Sequence, residues 1–212
     1  KSDNAILVNG EGQFPHTVKS QGRITHFHTD GAFDLVAGEA GGSYANLDRW
    51  VRRIFFFKPG VILIHDVLEA PEAATFQWLL HAKHPFALGD RTLRLEADTG
   101  KLDLEFLKPA GLAFSQTSVF DPPPHEWANL TLEEWHFTAA TQTPEKFMEF
   151  ITVIRVDGVD ASASMTEEGD GTALSLALAD NTARVLLQKE RFQVHHGTLD
   201  TTWEDNEDDR KF

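Results

Sequence analysis

The sequence predicts an all-β protein: an antiparallel β-sandwich of many short strands, with little helix. Three observations carry that reading. Short stretches rich in β-branched and aromatic residues recur from Ala5 to about Val194, turn dipeptides punctuate them closely, and no segment sustains a 3.6-residue apolar period over an ordinary helix length. Asn9-Gly10, Asp30-Gly31, Asp157-Gly158 and Asp170-Gly171 read as hairpin turns, because glycine, asparagine and aspartate adopt positive φ at little cost.

In chain order, strands are expected near 22–29, 32–40, 50–57, 61–69, 74–82, 92–97, 101–108, 111–120, 133–142, 148–156, 172–179 and 183–190. The first pair, GRITHFHTDGAFDLVAGE at 22–39, puts His26 and His28 on one strand face; a two-residue turn at Asp30-Gly31 would set Leu35 opposite His26. The second pair, WVRRIFFF and VILIHDVLE around KPG, is apolar on both faces toward its turn and is expected to be buried on both sides there. In that hairpin His65 and Asp66 point to opposite faces and cannot act as a dyad. They read instead as a polar strand end bonded to Arg49, Arg52 or Arg53.

Further along, TFQWLLHAKHPF at 75–86 places Phe76, Trp78 and Leu80 on one face and Gln77, Leu79 and His81 on the other. The triple proline in DPPPHEWANL, 121–130, removes three ladder donors and marks a rigid loop. LTLEEWHF at 130–137 is the one stretch with helical character, and the FTAATQT that follows favours a strand at least as strongly. No repeat, Gly/Ser linker or low-complexity insert divides the chain. Residues 1–200 therefore read as one sandwich, and 201–212, TTWEDNEDDRKF, as an acidic tail either frayed or held by Trp203.

Composition narrows the function. With 212 residues, 41% of them hydrophobic, the chain can bury roughly 70% of its unfolded surface. A formal charge of -14 disfavours nucleic acid and anionic membrane surfaces, and an acidic polysaccharide would need a local basic patch working against the global field. The absence of cysteine excludes disulfides, thiolate metal sites and a thiol nucleophile. No apolar run approaches the ~18 residues of a membrane span. The opening KSDNAILVNG has neither initiator methionine nor leader and reads as the start of a piece of a longer chain.

The residues able to carry chemistry are few. His26 and His28, with His81 if its strand is a neighbour, form the one histidine set that could converge on a metal; hydrogen-bonded histidines at a hairpin tip are the alternative. His26 and Tyr44, the single tyrosine, are the candidates for acid-base roles. Arg49, Arg52 and Arg53 could neutralise a carboxylate. Trp127 and Trp135 could stack on sugar faces, with core packing as the alternative.

NAILVNGEGQ (4–13), then GRITHF, DLVAGEAGGSY, DRWVRRIFFFKPGVILIHDVL and TFQWLLHA, as an ordered series, resembles the heparinase II/III-like family of polysaccharide lyases. The similarity runs by motif over 4–85 and loosely to about 156. It implies the C-terminal antiparallel β-sandwich of an enzyme whose other part is an α/α-toroid domain, with an acidic polysaccharide in the cleft between them and a periplasmic or secreted location. The family chemistry is β-elimination: a base removes the proton α to a uronic carboxylate while the carboxylate is neutralised.

The family's H-x-H pair and its following aspartate, which supply a catalytic histidine and zinc ligands, precede the stretch matching NAILVNG and lie outside this chain. The HFH at 26–28 follows that stretch and is a different feature. Where family members carry a His-Asn pair with a zinc-binding histidine, this chain has Asp3-Asn4, so an aspartate oxygen would replace the imidazole in any zinc site of the complete protein. Two functions follow from the resemblance and the residues: one wall of a lyase cleft, not catalytic alone, or a non-catalytic carbohydrate-binding or structural module.

Overall fold

Seventeen strands and one three-residue 3-10 turn, Gly41–Ser43, form the regular structure of the computed structural model, which describes residues 4–15, 17–120 and 134–205. In chain order these are β1 Ile6–Val8, β2 Arg23–Thr29, β3 Phe33–Glu39, β4 Arg49–Phe57, β5 Val61–Ala74 and β6 Phe76–Ala82. There follow β7 Ala87–Leu88, β8 Thr92–Ala97, β9 Gly100–Lys108, β10 Ala113–Thr117, β11 Trp135–Ala140 and β12 Glu145–Val156. The chain ends in a meander, β13 Ser162–Glu168, β14 Gly171–Ala177, β15 Thr182–Leu187, β16 Arg191–His196 and β17 Leu199–Glu204. The all-β class read from the sequence holds.

The strands build three antiparallel sheets. A central sheet has the order β2-β3-β4-β5-β12-β9-β8-β7, a four-stranded sheet the order β1-β6-β11-β10, and the meander is a five-stranded sheet of its own. Alternation along β4, β5 and β12 sends successive side chains into two different cores. Trp50, Leu68, Phe150 and Ile154 pack with Ile6, Phe76, Trp78 and Phe137 of the four-stranded sheet. Phe55, Leu63, Ile151 and Val153 pack with Leu174, Val185, Phe192 and Val194 of the five-stranded sheet. The central sheet is thus the middle layer of three.

The β4/β5 hairpin has the register its pattern demands, from Phe57 opposite Val61 to Trp50 opposite Leu68. Its burial departs from expectation. Toward the turn only the side facing the five-stranded sheet is sealed, by Phe55, Phe57, Val61 and Leu63, while Ile54, Phe56, Ile62 and Ile64 on the other side are half-buried. The four-stranded sheet ends with β1, close to β4: Tyr44, whose ring packs edge-on against Trp50, bonds the β1 backbone at Ile6. Nothing among the described residues continues that cover over β3 and β2.

Turn chemistry was legible in part. Asn9 and Gly10 (φ 52° and 81°) and Asp157 and Gly158 (56° and 68°) are left-handed pairs, as their sequences predict. At the next site the left-handed residue is Gly169 rather than Gly171, which opens β14 against the Leu187 backbone, where a Cβ would collide. At Asp30 the loop is longer than two residues: its carboxylate caps the amides of Ala32 and Phe33 at 2.8 Å each, so Thr29 pairs with Asp34 and His28, not His26, faces Leu35. The shift is two residues, so the faces are unchanged.

The candidate helix at 130–137 resolves, where described, as β11 from Trp135, and 121–130 with Trp127 lies outside the described residues. The boundary drawn at 200/201 falls inside β17. Trp203 stacks on Phe192 at 5.2 Å with 13° between planes, so 201–205 belong to the fold.

Candidate functional site

The face of the central sheet left open beyond β1 holds a concavity of about 410 Å³. Arg23, Ile24, Val36, Gly38, Glu39, Trp50, Arg52 and Ile54 line it. Its depth follows from one cross-strand row, Ile24, Gly38, Arg52 and Asp66 on β2 to β5. Glycine at position 38 leaves a gap between two large neighbours, and a Cβ there would stand 3.1 Å from the Arg23 carbonyl oxygen.

Arg52 is fixed before any ligand arrives. Its Nε and Nη2 donate to the two oxygens of Asp66 at 2.7 and 3.0 Å, its Nη1 to the Asn4 carbonyl at 2.7 Å, and its guanidinium lies 5.2 Å from the Trp50 ring centroid. Fully buried Asp66 also accepts from the indoles of Trp50, at 2.8 Å, and Trp78, at 3.1 Å. Three of the five guanidinium donors are engaged, which leaves two N–H groups on a side chain at the concavity wall. The charges of Arg23 and Arg52 are matched by Glu39 and Asp66. The site is a neutral island in a chain of net charge -14.

On the opposite face the neighbouring residues of the same strands form a buried polar joint. His65 and Arg53 are fully buried, mid-strand, which corrects the strand-end expectation while bearing out the arginine partners. A guanidinium only donates and a carboxylate only accepts, so Arg53 Nη1 donates to His65 Nδ1 at 2.9 Å and His65 Nε2–H donates to Glu149 at 2.8 Å. The imidazole is therefore neutral. Burial pushes its pKa down, and the Arg53 charge reinforces this against the pull of Glu149.

Glu149 shows the opposite balance. Burial would raise its pKa, but the His65 bond and the Lys108 ammonium outweigh that and hold it down at about 2. Lys108 bridges to the five-stranded sheet through Thr172 at 2.6 Å and Glu167 at 2.9 Å. Arg53 crosses the same gap to the carbonyls of Gln188 and Lys189 and to Asp205.

The sequence-derived candidates divide among these layers. Arg52 lines the concavity; Arg49 projects to the other face, pairing with Glu69 at 3.3 Å and Asp205 at 3.0 Å. Tyr44 is buried and its hydroxyl donates to the Ile6 carbonyl at 2.8 Å. His26 and His28 face the five-stranded sheet, His26 Nε2 lying 3.1 Å from the Glu204 carbonyl and His28 Nε2 3.1 Å from Asp30. His81 lies on the outer face of the four-stranded sheet, opposite His136 and 3.0 Å from the Asn4 side chain. Trp135 is half-buried at the end of β11.

The three histidines are not brought together, and no group of three His, Cys, Asp or Glu suited to a metal occurs among the described residues. Those residues do not form a zinc donor set. Arg23 and Gly38 were missed, although both lie inside the quoted GRITHFHTDGAFDLVAGE. The signal was a small residue between large ones on facing strands, which appears only once the register is known.

No family model and no curated protein sequence matches the chain. Its fold does match solved structures. Heparan sulfate lyase HepC from Pedobacter heparinus aligns with a TM-score of 0.67 at 15% identity, over 92% of this chain and 31% of that one. A structure of heparinase III aligns with a TM-score of 0.63 at 13% identity, over 85% of this chain and 28% of that one. The chain thus spans about a third of the length of the structures it matches. It has the fold of the β-sheet portion of heparinase III-type lyases, as the motif series led one to expect.

Proposed function

We propose that this chain is the β-sandwich portion of a polysaccharide lyase that cleaves uronate-containing chains by β-elimination, and that its open concavity forms one wall of the cleft. A toroid domain of the longer protein would form the other wall, in a periplasmic or secreted setting. The observation that carries this is Arg52: a guanidinium locked by Asp66 and two tryptophans, with donors left over, on the part of the central sheet that no described residue covers, in a chain with a heparinase-type fold. A pre-positioned guanidinium beside a uronic carboxylate lowers the cost of developing charge at the α carbon. Positions 23 and 52 would then act by holding and neutralising the sugar acid.

Among the described residues, the lining of this wall holds neither of the two acid-base candidates, Tyr44 and His26. The Tyr44 hydroxyl and His26 Nε2 both already have backbone partners at bonding distance, and proton abstraction would fall to groups elsewhere in the longer protein. Elimination leaves an unsaturated uronate that absorbs in the ultraviolet, so turnover is read directly. In the longer protein, Arg52→Lys keeps a cation against Asp66 but loses the fork, and is expected to lower kcat/KM on heparan sulfate about tenfold or more, in line with the loss of one charge-assisted bond. Unchanged kinetics in Arg52→Lys and in Arg23→Ala would remove the concavity from the cleft.

The engaged state of Tyr44 and the histidines favours a second reading, a non-catalytic carbohydrate-binding module. Saturable heparan sulfate binding by a longer protein that gives no unsaturated product would select it.

A further inference from the structure

Among the described residues the five-stranded sheet shares no strand pairing with the other two sheets, so side chains hold it to the central sheet. An apolar layer of Phe55, Leu63, Leu174, Val185 and their neighbours does part of this, and the polar joint around His65 does the rest. We infer that the joint is an acid-operated latch: a proton taken up by His65 lets the five-stranded sheet part from the central sheet and unfold as one unit, ahead of the rest of the fold. Such a unit, contiguous in sequence from β13 to β17 and paired only within itself, is the kind of segment that opens cooperatively.

As it stands the joint is balanced. The cations Arg49, Arg53, Lys108 and Lys189 meet the anions Glu69, Glu149, Glu167 and Asp205, four against four, while Asp66 is turned to the opposite face with Arg52. His65 is the neutral relay among them, accepting from Arg53 at 2.9 Å and donating to Glu149 at 2.8 Å. A proton on Nδ1 reverses the first bond, because two N–H donors would then face each other at that distance. It also adds an unmatched charge to a fully buried site, and this desolvation, more than the Arg53 charge, is what lowers the pKa of the ring.

The direction of the effect follows from where the neighbours lie. The attraction gained is to Glu149, on β12 of the same sheet as His65. The cations repelled, Arg53 and Lys108, both cross the gap: Arg53 to the carbonyls of Gln188 and Lys189 and to Asp205, Lys108 to Thr172 and Glu167. Protonation thus strengthens the hold within the central sheet and weakens the hold across to the five-stranded one. Three other histidines lie along the same interface. His26 stands 3.9 Å from Asp205, His28 3.1 Å from Asp30, and the His196 ring packs edge-on against Phe57.

Amide hydrogen exchange of the 212-residue chain at about pH 7.5 and 5.5, corrected for the intrinsic rate at each pH, reads the opening. Amides of β14 to β16 should exchange through an opening of their own, faster than those of β6 and β11. That opening should be about tenfold more populated at the lower pH, the factor that a released imidazole of ordinary pKa 6.5 gives over this interval. His65→Gln should abolish the rise, since glutamine can accept from Arg53 and donate to Glu149 as the neutral ring does, yet takes up no proton. Nitrogen-15 shifts of the His65 ring in the unaltered chain should show the neutral Nε2–H tautomer in the closed form at both pH values.

A single opening shared by all three sheets would overturn the inference, because His65 would then act on global stability alone. So would the absence of a rise, or a rise that persists in His65→Gln and so belongs to His26, His28 or His196. A charged His65 ring at the lower pH with the five-stranded sheet still protected would overturn it as well. If His65→Gln does not fold, the exchange pattern and the ring shifts of the unaltered chain decide by themselves.

Discussion

His65 illustrates how much a single position can mislead when only its strand face is known. It alternates correctly along β5, yet the face it reaches is a sealed joint where it links Arg53 to Glu149. Removing its ring leaves a guanidinium N–H and a carboxylate oxygen buried without partners. His65→Ala should therefore cost about 2–4 kcal/mol in chemical denaturation, close to the ~3–5 kcal/mol expected for Phe55→Ala in the adjoining core. A cost below about 0.5 kcal/mol would show that water repairs the joint.

The same cluster sets a pH dependence. His65 stays neutral in the fold while the unfolded chain protonates it below its ordinary pKa of 6.5, so the unfolded state binds more protons and stability falls as pH drops through that value. Glu149 adds a second loss. Its folded pKa of about 2 lies below the ordinary 4.5, so its contribution is complete above 4.5 and disappears as pH falls toward 2. Glu149→Gln should flatten the lower segment of a stability-against-pH curve and leave the upper one. An unchanged lower segment would assign that acid sensitivity to other carboxylates.

At the scale of elements, the strands that could be read were those whose alternation used aromatic and β-branched residues, as in β3 to β6, β9 and β12. β13 was missed because SASMTEE offers little apolar contrast, with only Ala163 and Met165 packed against the core. β1 has three residues and owes its existence to pairing with β6. β16 carried an inward Phe192, Val194 and His196 that resembled the end of a fold more than a strand, and β17 was hidden by the acidic composition around it.

Yet β17 closes the five-stranded sheet, stacks Trp203 on Phe192 and leads into Asp205, which meets both Arg49 and Arg53. A chain ending at residue 200 should consequently lose cooperative thermal unfolding, whereas Asp205→Asn in the complete chain should lower stability by about 1–3 kcal/mol through the weakened arginine bonds. Cooperative unfolding of the shortened chain near the midpoint of the complete one would show that β17 is an accessory.

At the scale of the molecule, three stacked sheets explain why the middle layer reads as uninterrupted apolar sequence and why one end of it nonetheless faces solvent. The sequence alone could place Ile54 and Phe56 on one face of β4 but not say what covers them, because cover depends on where β1 stops. The candidate site was half-visible for the same reason: Arg52 was chosen from its charge, but Arg49, three residues earlier, lies on the other face. Trp50, Arg52 and Asp66 make one assembly only because β4 and β5 pair in the register of residues 50 and 68.

The three sheets also leave the acid-base candidates engaged and the arginine wall open, so the chain should bind acidic sugar weakly and cleave none of it. The most direct measurement incubates the 212-residue chain with heparan sulfate and alginate and follows the ultraviolet absorbance of unsaturated uronate, beside the longer protein under the same conditions. The expected outcome is no rate above buffer for the chain alone and turnover for the longer protein. A steady rate from the chain alone, lost in Tyr44→Phe or His26→Ala, would contradict it and move the chemistry onto this sandwich.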